Sequence, residues 1–262
     1  MMKLTFRMTA LTVAVVCLAA NSAMGATIAK YNLGEDDAGA FAGFAGIDPT
    51  VDAVGSNDLT KFGDPIYSSD VPAGGSTLSM AFDGDGDYYS GPAPTTDVAN
   101  NISYSFDAKM EARGAAGFSF LASLGSNFGG ISVVEIGGNV TVFFPGAGSG
   151  DAGFQPDSEW HNYQVDWDAF NQVATLSVDG GVVSTRLGAT ANGQITDALT
   201  LGGNSRSADP QGAPESPPFE GSFNGLIDNF ELSTSPAIPE PGSIVLLGLA
   251  GTGIALVARR RK

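Results

Sequence analysis

At 262 residues, with 36 glycines, 14 prolines and 43% hydrophobic residues, the chain suits one turn-rich globular domain flanked by shorter segments and excludes a disordered polymer. The formal charge of −16 hides an asymmetry: two basic residues (Lys3, Arg7) stand at the start, four (Arg259, Arg260, Arg261, Lys262) at the end, and the body between holds six against all 28 acidic residues, a formal −22. A body so acidic repels nucleic acid and anionic membrane, which removes nucleic acid as a partner, and it attracts divalent cations.

Residues 1–26 have the layout of a secretory signal peptide: Lys3 and Arg7, an apolar run over 8–20, then the small-residue zone Ala23-Met24-Gly25-Ala26 with a cut after Gly25 or Ala26. This predicts a signal helix handled by the Sec translocon and signal peptidase. The single cysteine, Cys17, follows Val16 rather than a small residue, so no lipid anchor is read, and the body has no disulfide to lean on.

Residues 27–235 read as β structure. A first strand is expected over 27–33, ending in Gly34-Glu35-Asp36-Asp37, and residues 38–71 form a Gly-, Ala- and Asp-rich excursion expected to wrap the domain as ordered loop. Strand-like stretches follow at 76–82 and after Asp83-Gly84-Asp85-Gly86-Asp87. The cleanest alternation lies at 101–112, where Ile102, Tyr104, Phe106, Ala108 and Met110 share one face and Ser103, Ser105, Asp107, Lys109 and Glu111 the other. Further strands are expected at 117–124, 131–136 and 140–144, spaced by glycine turns.

The centre is a hairpin. His161, Tyr163, Val165 and Trp167 alternate with Asn162, Gln164 and Asp166; after a short connection, Ala174, Leu176 and Val178 alternate with Thr175, Ser177 and Asp179, and Asp179-Gly180 opens a type I′ turn. Strands at 182–187 and 198–201 come next, then a Pro- and Ser-rich loop at 204–218 and a last strand over 221–232. One apolar and one polar face per strand predicts an antiparallel sheet packed from one side.

Four loose motifs in order, Tyr31-x-Leu33-Gly34-Glu35, Phe82-Asp83-Gly84-x-x-Asp87-Tyr88, Trp160-His161 leading to Leu176-x-Val178-Asp179-Gly180, and Phe223-x-Gly225-x-Ile227-Asp228-Asn229-Phe230, resemble laminin-G-like, concanavalin A-like domains. The resemblance implies an all-β, two-sheet antiparallel jelly-roll sandwich over 27–235. It places His161 at a structural position rather than a catalytic one.

The end of the chain is a second signature. Pro239-Glu240-Pro241, the mostly apolar residues 244–258 and a basic tip resemble the bacterial PEP-CTERM sorting tag over 236–262. Physically, 244–258 make a short transmembrane helix stopped by four positive charges. The resemblance implies cleavage near Pro239–Pro241 by an exosortase, transient membrane attachment, and release to the cell surface or extracellular polysaccharide matrix.

For catalysis, retaining glucanases on this fold resemble Glu-x-Asp-x-x-Glu on one strand, which is absent; Glu135 and Glu159 are isolated, and one histidine with no cysteine in the body assembles no nucleophilic set. The expectation is a non-enzymatic protein, structural or carbohydrate-binding in exopolysaccharide, with a polysaccharide-degrading glycosidase or lyase as the alternative. For metals, Asp83, Asp85 and Asp87 offer hard oxygens to calcium but lack the EF-hand glycine and glutamate, so Asp-Gly turns joining two strands are the favoured explanation. Asp228 alternates with Leu226 and Phe230 toward the apolar side, where a carboxylate needs a metal, a cation or N–H donors; domains of the family it resembles often carry a structural calcium, which makes Asp228 a candidate ligand. Glu35, Asp36 and Asp37 are weaker candidates. The aromatics available for stacking on sugars are Tyr88, Tyr89, Phe143, Phe144 and Phe219.

Overall fold

The structure is a computed structural model that describes residues 26–93, 101–112, 117–125, 130–144, 148–149, 153–187, 198–203 and 221–235. Fifteen strands appear among them: β1 Ala26–Tyr31, β2 Thr60–Phe62, β3 Ile66–Ser68, β4 Ser79–Asp83, β5 Tyr88–Gly91, β6 Asn101–Ala112, β7 Phe118–Leu124, β8 Ile131–Ile136, β9 Asn139–Phe144, β10 Gly148–Ser149, β11 Trp160–Asp168, β12 Val173–Val178, β13 Gly181–Leu187, β14 Leu199–Leu201 and β15 Asn224–Ser235. They pair antiparallel into an eight-stranded sheet, ordered β13-β12-β11-β6-β15-β4-β3 with β1 also on β15, and a seven-stranded sheet, ordered β10-β9-β8-β7-β14-β5-β2. Gly25–Thr234 form one compact unit. This is the expected all-β two-sheet sandwich. The expected signal helix, the transmembrane helix and the Pro239-Glu240-Pro241 motif lie outside the described residues, and no described helix is long and apolar enough to cross a membrane.

The alternating strands do what their period requires. Tyr104, Phe106, Tyr163, Val165 and Phe230 are buried between the sheets, and their rings stack in a row across the larger sheet: Tyr104 to Phe230 at 5.8 Å and Phe106 to Tyr163 at 5.5 Å between centroids. Losing one such ring costs about 3–5 kcal/mol through transfer and cavity terms together. The Tyr104 hydroxyl donates to Ile131 O at 3.1 Å, a hydrogen bond from one sheet to the other.

β15 is the spine of the larger sheet. It lies between β6 and a composite edge, its first half paired with β4 (Asn224 opposite Asp83, Ile227 opposite Met80) and its second with β1 (Phe230 opposite Tyr31). The strand therefore gathers three motifs that stand far apart in sequence. Gly225 permits this packing: at φ 153° and against Lys109 O of β6, the position leaves no room for a Cβ. The final strand starts later and runs longer than its alternation predicts, because Gly221, Ser222 and Phe223 enter by a turn.

The excursion after β1 is ordered, as expected, and also contributes β2 and β3. Asp37 fastens it by accepting from Thr50 Oγ1 at 2.9 Å, Val51 N at 2.9 Å and Tyr67 Oη at 2.7 Å. Burial would raise Asp52, but the N–H groups of Lys30, Val54, Asn57 and Gly55 together hold it below the usual carboxylate range.

Candidate functional site

The alternation of β15 breaks in its middle. Ile227 and Phe230 both belong to the core, which requires one extra residue between them. Asn229 absorbs it in the left-handed region, at φ 51°. The phase shift turns Asp228 away from the Phe230 face on which simple alternation places it. Asp228 is 0% exposed. Its Oδ1 accepts from Asn229 N at 2.7 Å, and Oδ2 has no hydrogen-bond partner. Burial pushes its carboxyl up to about 7, eased by Ser76 and the Asn229 N–H and reinforced by the charges of Glu35 and Asp107.

Those neighbours belong to a cavity of about 420 Å³ on the polar side of the larger sheet, lined by Lys30, Glu35, Ser76, Asp107, Asn229 and Glu231 together with Asn32 and residues 73–75. The 69–78 loop reaches across the sheet to build it: Asp70 pairs with Lys109 Nζ of β6 at 2.6 Å and accepts from Trp160 Nε1 of β11 at 2.8 Å. The lining carboxylates also hold structure. Asp107 accepts from Asn162 Nδ2 at 2.9 Å and Asn229 Nδ2 at 3.0 Å, Glu35 Oε1 accepts from Leu78 N at 3.0 Å, and Glu231 accepts from Thr27 Oγ1 at 2.8 Å. The site thus offers anchored carboxylate oxygens and amides.

The second acidic group lies near the other end of the β4–β15 pair. Carboxylate oxygens of Asp64, Asp83 and Asp87 lie within 4.8 Å of one another. Asp87 is buried, with burial and the charges of Asp83 and Asp64 pushing it up to about 6. Its oxygens are engaged, Oδ1 by Asp64 N at 2.7 Å and Oδ2 by Asp83 N at 3.4 Å. Asp85 stays outside this group and donates its N–H to Asp83 Oδ1 at 2.7 Å, as an Asp-Gly turn demands. The four acids singled out for calcium therefore divide between two places. Asp228 fits a hard cation, because a buried carboxylate oxygen without a donor is the feature such an ion satisfies. Asp87 fits a turn that is already complete.

Of the aromatics singled out for sugar stacking, Tyr88 and Tyr89 are buried, Phe143 is half-buried, and Phe144 and Phe219 have no described side chain. Among the described residues the exposed rings are Phe41, Phe44, Phe170 and Phe62, the last stacked on Tyr88 at 4.5 Å. His161 is also committed: Nδ1 meets Asp179 Oδ2 at 2.7 Å and Nε2 meets Asp157 Oδ1 at 2.9 Å. Sequence reasoning missed Lys30, Asn32, Asp107, Asn229 and Glu231, as well as Asp64. The wet-face positions of Lys30 and Asp107 were legible from alternation, but their meeting under the 69–78 loop carries no local signal.

Residues 129–234 match the family profile of the Laminin G domain, and residues 237–262 match the PEP-CTERM protein-sorting motif. No curated protein matches the sequence. Among solved structures the chain is similar to domain 4 of AbnA, a GH43 extracellular arabinanase from Geobacillus stearothermophilus, in complex with arabinotriose (14% identity, TM-score 0.51, covering 82% of this chain and 95% of that one). It is similar as well to the binding domain of botulinum neurotoxin serotype D (11% identity, TM-score 0.55, 85% and 51%) and to Trypanosoma rangeli sialidase (12% identity, TM-score 0.51, 78% and 30%). At such identities the likeness establishes the fold alone. The chain spans about half the toxin binding domain and under a third of the sialidase.

Proposed function

A chain that joins a laminin G domain to a PEP-CTERM protein-sorting motif is, we propose, a non-enzymatic binding protein of the bacterial cell surface or exopolysaccharide matrix, which holds polysaccharide in the cavity beside Asp228. The sorting motif marks the chain for exosortase processing and export. The observation that carries the binding reading is the cavity's composition: fixed carboxylates, amides, a hydroxyl and one ammonium group, the mixture of donors and acceptors that suits a polyhydroxylated ligand. Fold likeness to an arabinanase domain solved with a bound arabinotriose is consistent with a glycan ligand. Asp228, whose buried carboxyl also feels the charges of Glu35 and Asp107, has the oxygen that a structural calcium would satisfy. Bound there, the ion would neutralise the buried charge and stiffen the β15 bulge beneath the cavity. The glycosidase alternative is disfavoured because Asp107, Glu35 and Glu231 already serve as structural acceptors.

One experiment with three arms tests the whole reading. Expressed in its host, the wild-type protein is expected in the exopolysaccharide fraction. The variant with Pro239, Glu240 and Pro241 replaced by alanine is expected to remain in the inner membrane. The Lys30→Ala/Glu231→Ala variant is expected to be exported but to wash off the polysaccharide, with at least tenfold less retained. Equal retention of that variant would remove the cavity from the account, and depolymerisation of the polysaccharide by the wild type would replace binding with catalysis.

A further inference from the structure

The single histidine of the chain sits in an arrangement that neither the sorting motif nor the cavity uses. His161 is the second residue of β11 and lies on its core side, its ring edge-on to Phe154 at 4.6 Å, and the side chain is only 13% exposed. Two carboxylates close on it from two other elements. Asp157 comes from the segment 153–159 that leaves the smaller sheet, where Phe154 and Val140 of β9 exchange backbone hydrogen bonds of 2.7 and 2.9 Å. Asp179 comes from the β12–β13 turn and bonds Asn162 N through its other oxygen, at 3.0 Å. That turn is the expected type I′ pair, with Asp179 at φ 50° and Gly180 at φ 78°.

Both ring nitrogens therefore face a carboxylate oxygen, at 2.7 and 2.9 Å. A neutral imidazole carries one N–H, so its second nitrogen would turn a lone pair toward an anionic oxygen; only the imidazolium donates to both. We infer that Asp157, His161 and Asp179 form a pH-sensitive latch that ties the 153–159 segment and the β12–β13 turn to the start of β11, closed while the ring carries both protons and loosened when one is lost. The surroundings favour the closed form. From β6, Asp107 lies opposite Asn162 and Lys109 opposite Trp160, and that lysine is paired with Asp70 and also feels the charge of Glu159. Tyr163, in ring contact with His161, stays a neutral phenol, raised by burial and then by Asp179 and Asp157. Burial alone would lower the histidine, but the two carboxylates outweigh it and hold its pKa above the ordinary value, while the histidine holds both carboxylates below theirs. A raised folded pKa means that the latch contributes fully in mild acid and is lost as pH rises through that raised value.

The test is an imidazole 1H–15N titration of the full-length protein, in which one histidine gives one unambiguous set of ring signals. The expected result is a ring pKa above 6.5, lowered in both Asp157→Asn and Asp179→Asn. Amide protection factors at Phe154, Glu159, Asn162 and Asp179, whose N–H groups are hydrogen-bonded, are expected to fall about tenfold from pH 6 to pH 9 in the wild type and to stay level with pH in His161→Gln. A ring pKa at or below 6.5 would overturn the proposal, as would protection that does not change with pH or the same change persisting in His161→Gln. If His161→Gln fails to fold, Asp157→Asn decides the matter, since Asp157 has an exposed side chain: an unchanged ring pKa in that variant overturns the latch.

Discussion

Each end of the β4–β15 ladder has a buried aspartate close by, and the two are solved differently. Near the end where Asn224 meets Asp83, Asp87 is surrounded by acids yet has both oxygens engaged by backbone N–H groups. Beyond the end where Ile227 meets Met80, Asp228 accepts one backbone N–H at Oδ1 and is eased by Ser76, while its Oδ2 has no hydrogen-bond partner. Acidic density alone would rank the Asp64–Asp83–Asp87 group first. Hydrogen-bond accounting reverses the order, because a satisfied carboxylate is a finished piece of turn and an orphaned one is a demand on some other group. The cavity lies with the orphan.

The sharpest way to break this comparison is to remove the carboxylate taken to be structural. Asp87→Ala strands the N–H groups of Asp64 and Asp83, and is expected to cost about 3 kcal/mol, roughly 6–12 °C in Tm by calorimetry, whether or not calcium is present. A loss seen only with calcium would make Asp87 a ligand instead. Next, Asp228→Asn in cation-free buffer at pH 8 is expected to stabilise the protein by about 2 kcal/mol in urea unfolding, because the buried charge is gone. The sign follows from the raised carboxyl: the folded state resists ionisation, so wild-type stability is whole below the ordinary aspartate range and declines as pH rises to about 7, and the variant lacks that decline. A destabilised variant would mean that Asp228 is already paid for by donors inside the fold. The smallest effect is expected on the loop that roofs the cavity: Lys109→Met breaks a partly exposed ion pair with Asp70 and is expected to cost about 0.5 kcal/mol, less at high salt.

Much of the fold was legible because period-2 alternation and burial are one physical fact. Residues 101–112 appear as β6 over the same span, and the 160–180 stretch gives the hairpin and its type I′ turn as expected. Alternation failed where one residue was inserted. Nothing in Ile227-Asp228-Asn229-Phe230 announces a bulge except an asparagine, which tolerates the left-handed region better than most residues, and that single shift moves Asp228 off the face expected for it. The cavity was harder still, since Lys30, Ser76, Asp107 and Glu231 come from four separate parts of the chain and meet only through pairing with β15 and β6. His161 was read correctly as a histidine on the core side of its strand. Its two carboxylates were hidden because one stands four residues earlier and the other belongs to a turn whose sequence was already explained by its geometry.

We propose that Asp228, and not the denser acidic group, marks the ligand-bearing part of the domain. Calcium titration of the full-length protein by isothermal calorimetry tests it most directly, with Asp228→Asn and Asp83→Asn alongside. The account predicts one binding event in the wild type, lost in Asp228→Asn and kept in Asp83→Asn. Binding that survives Asp228→Asn and disappears in Asp83→Asn would contradict it and move the site to the opposite end of the ladder.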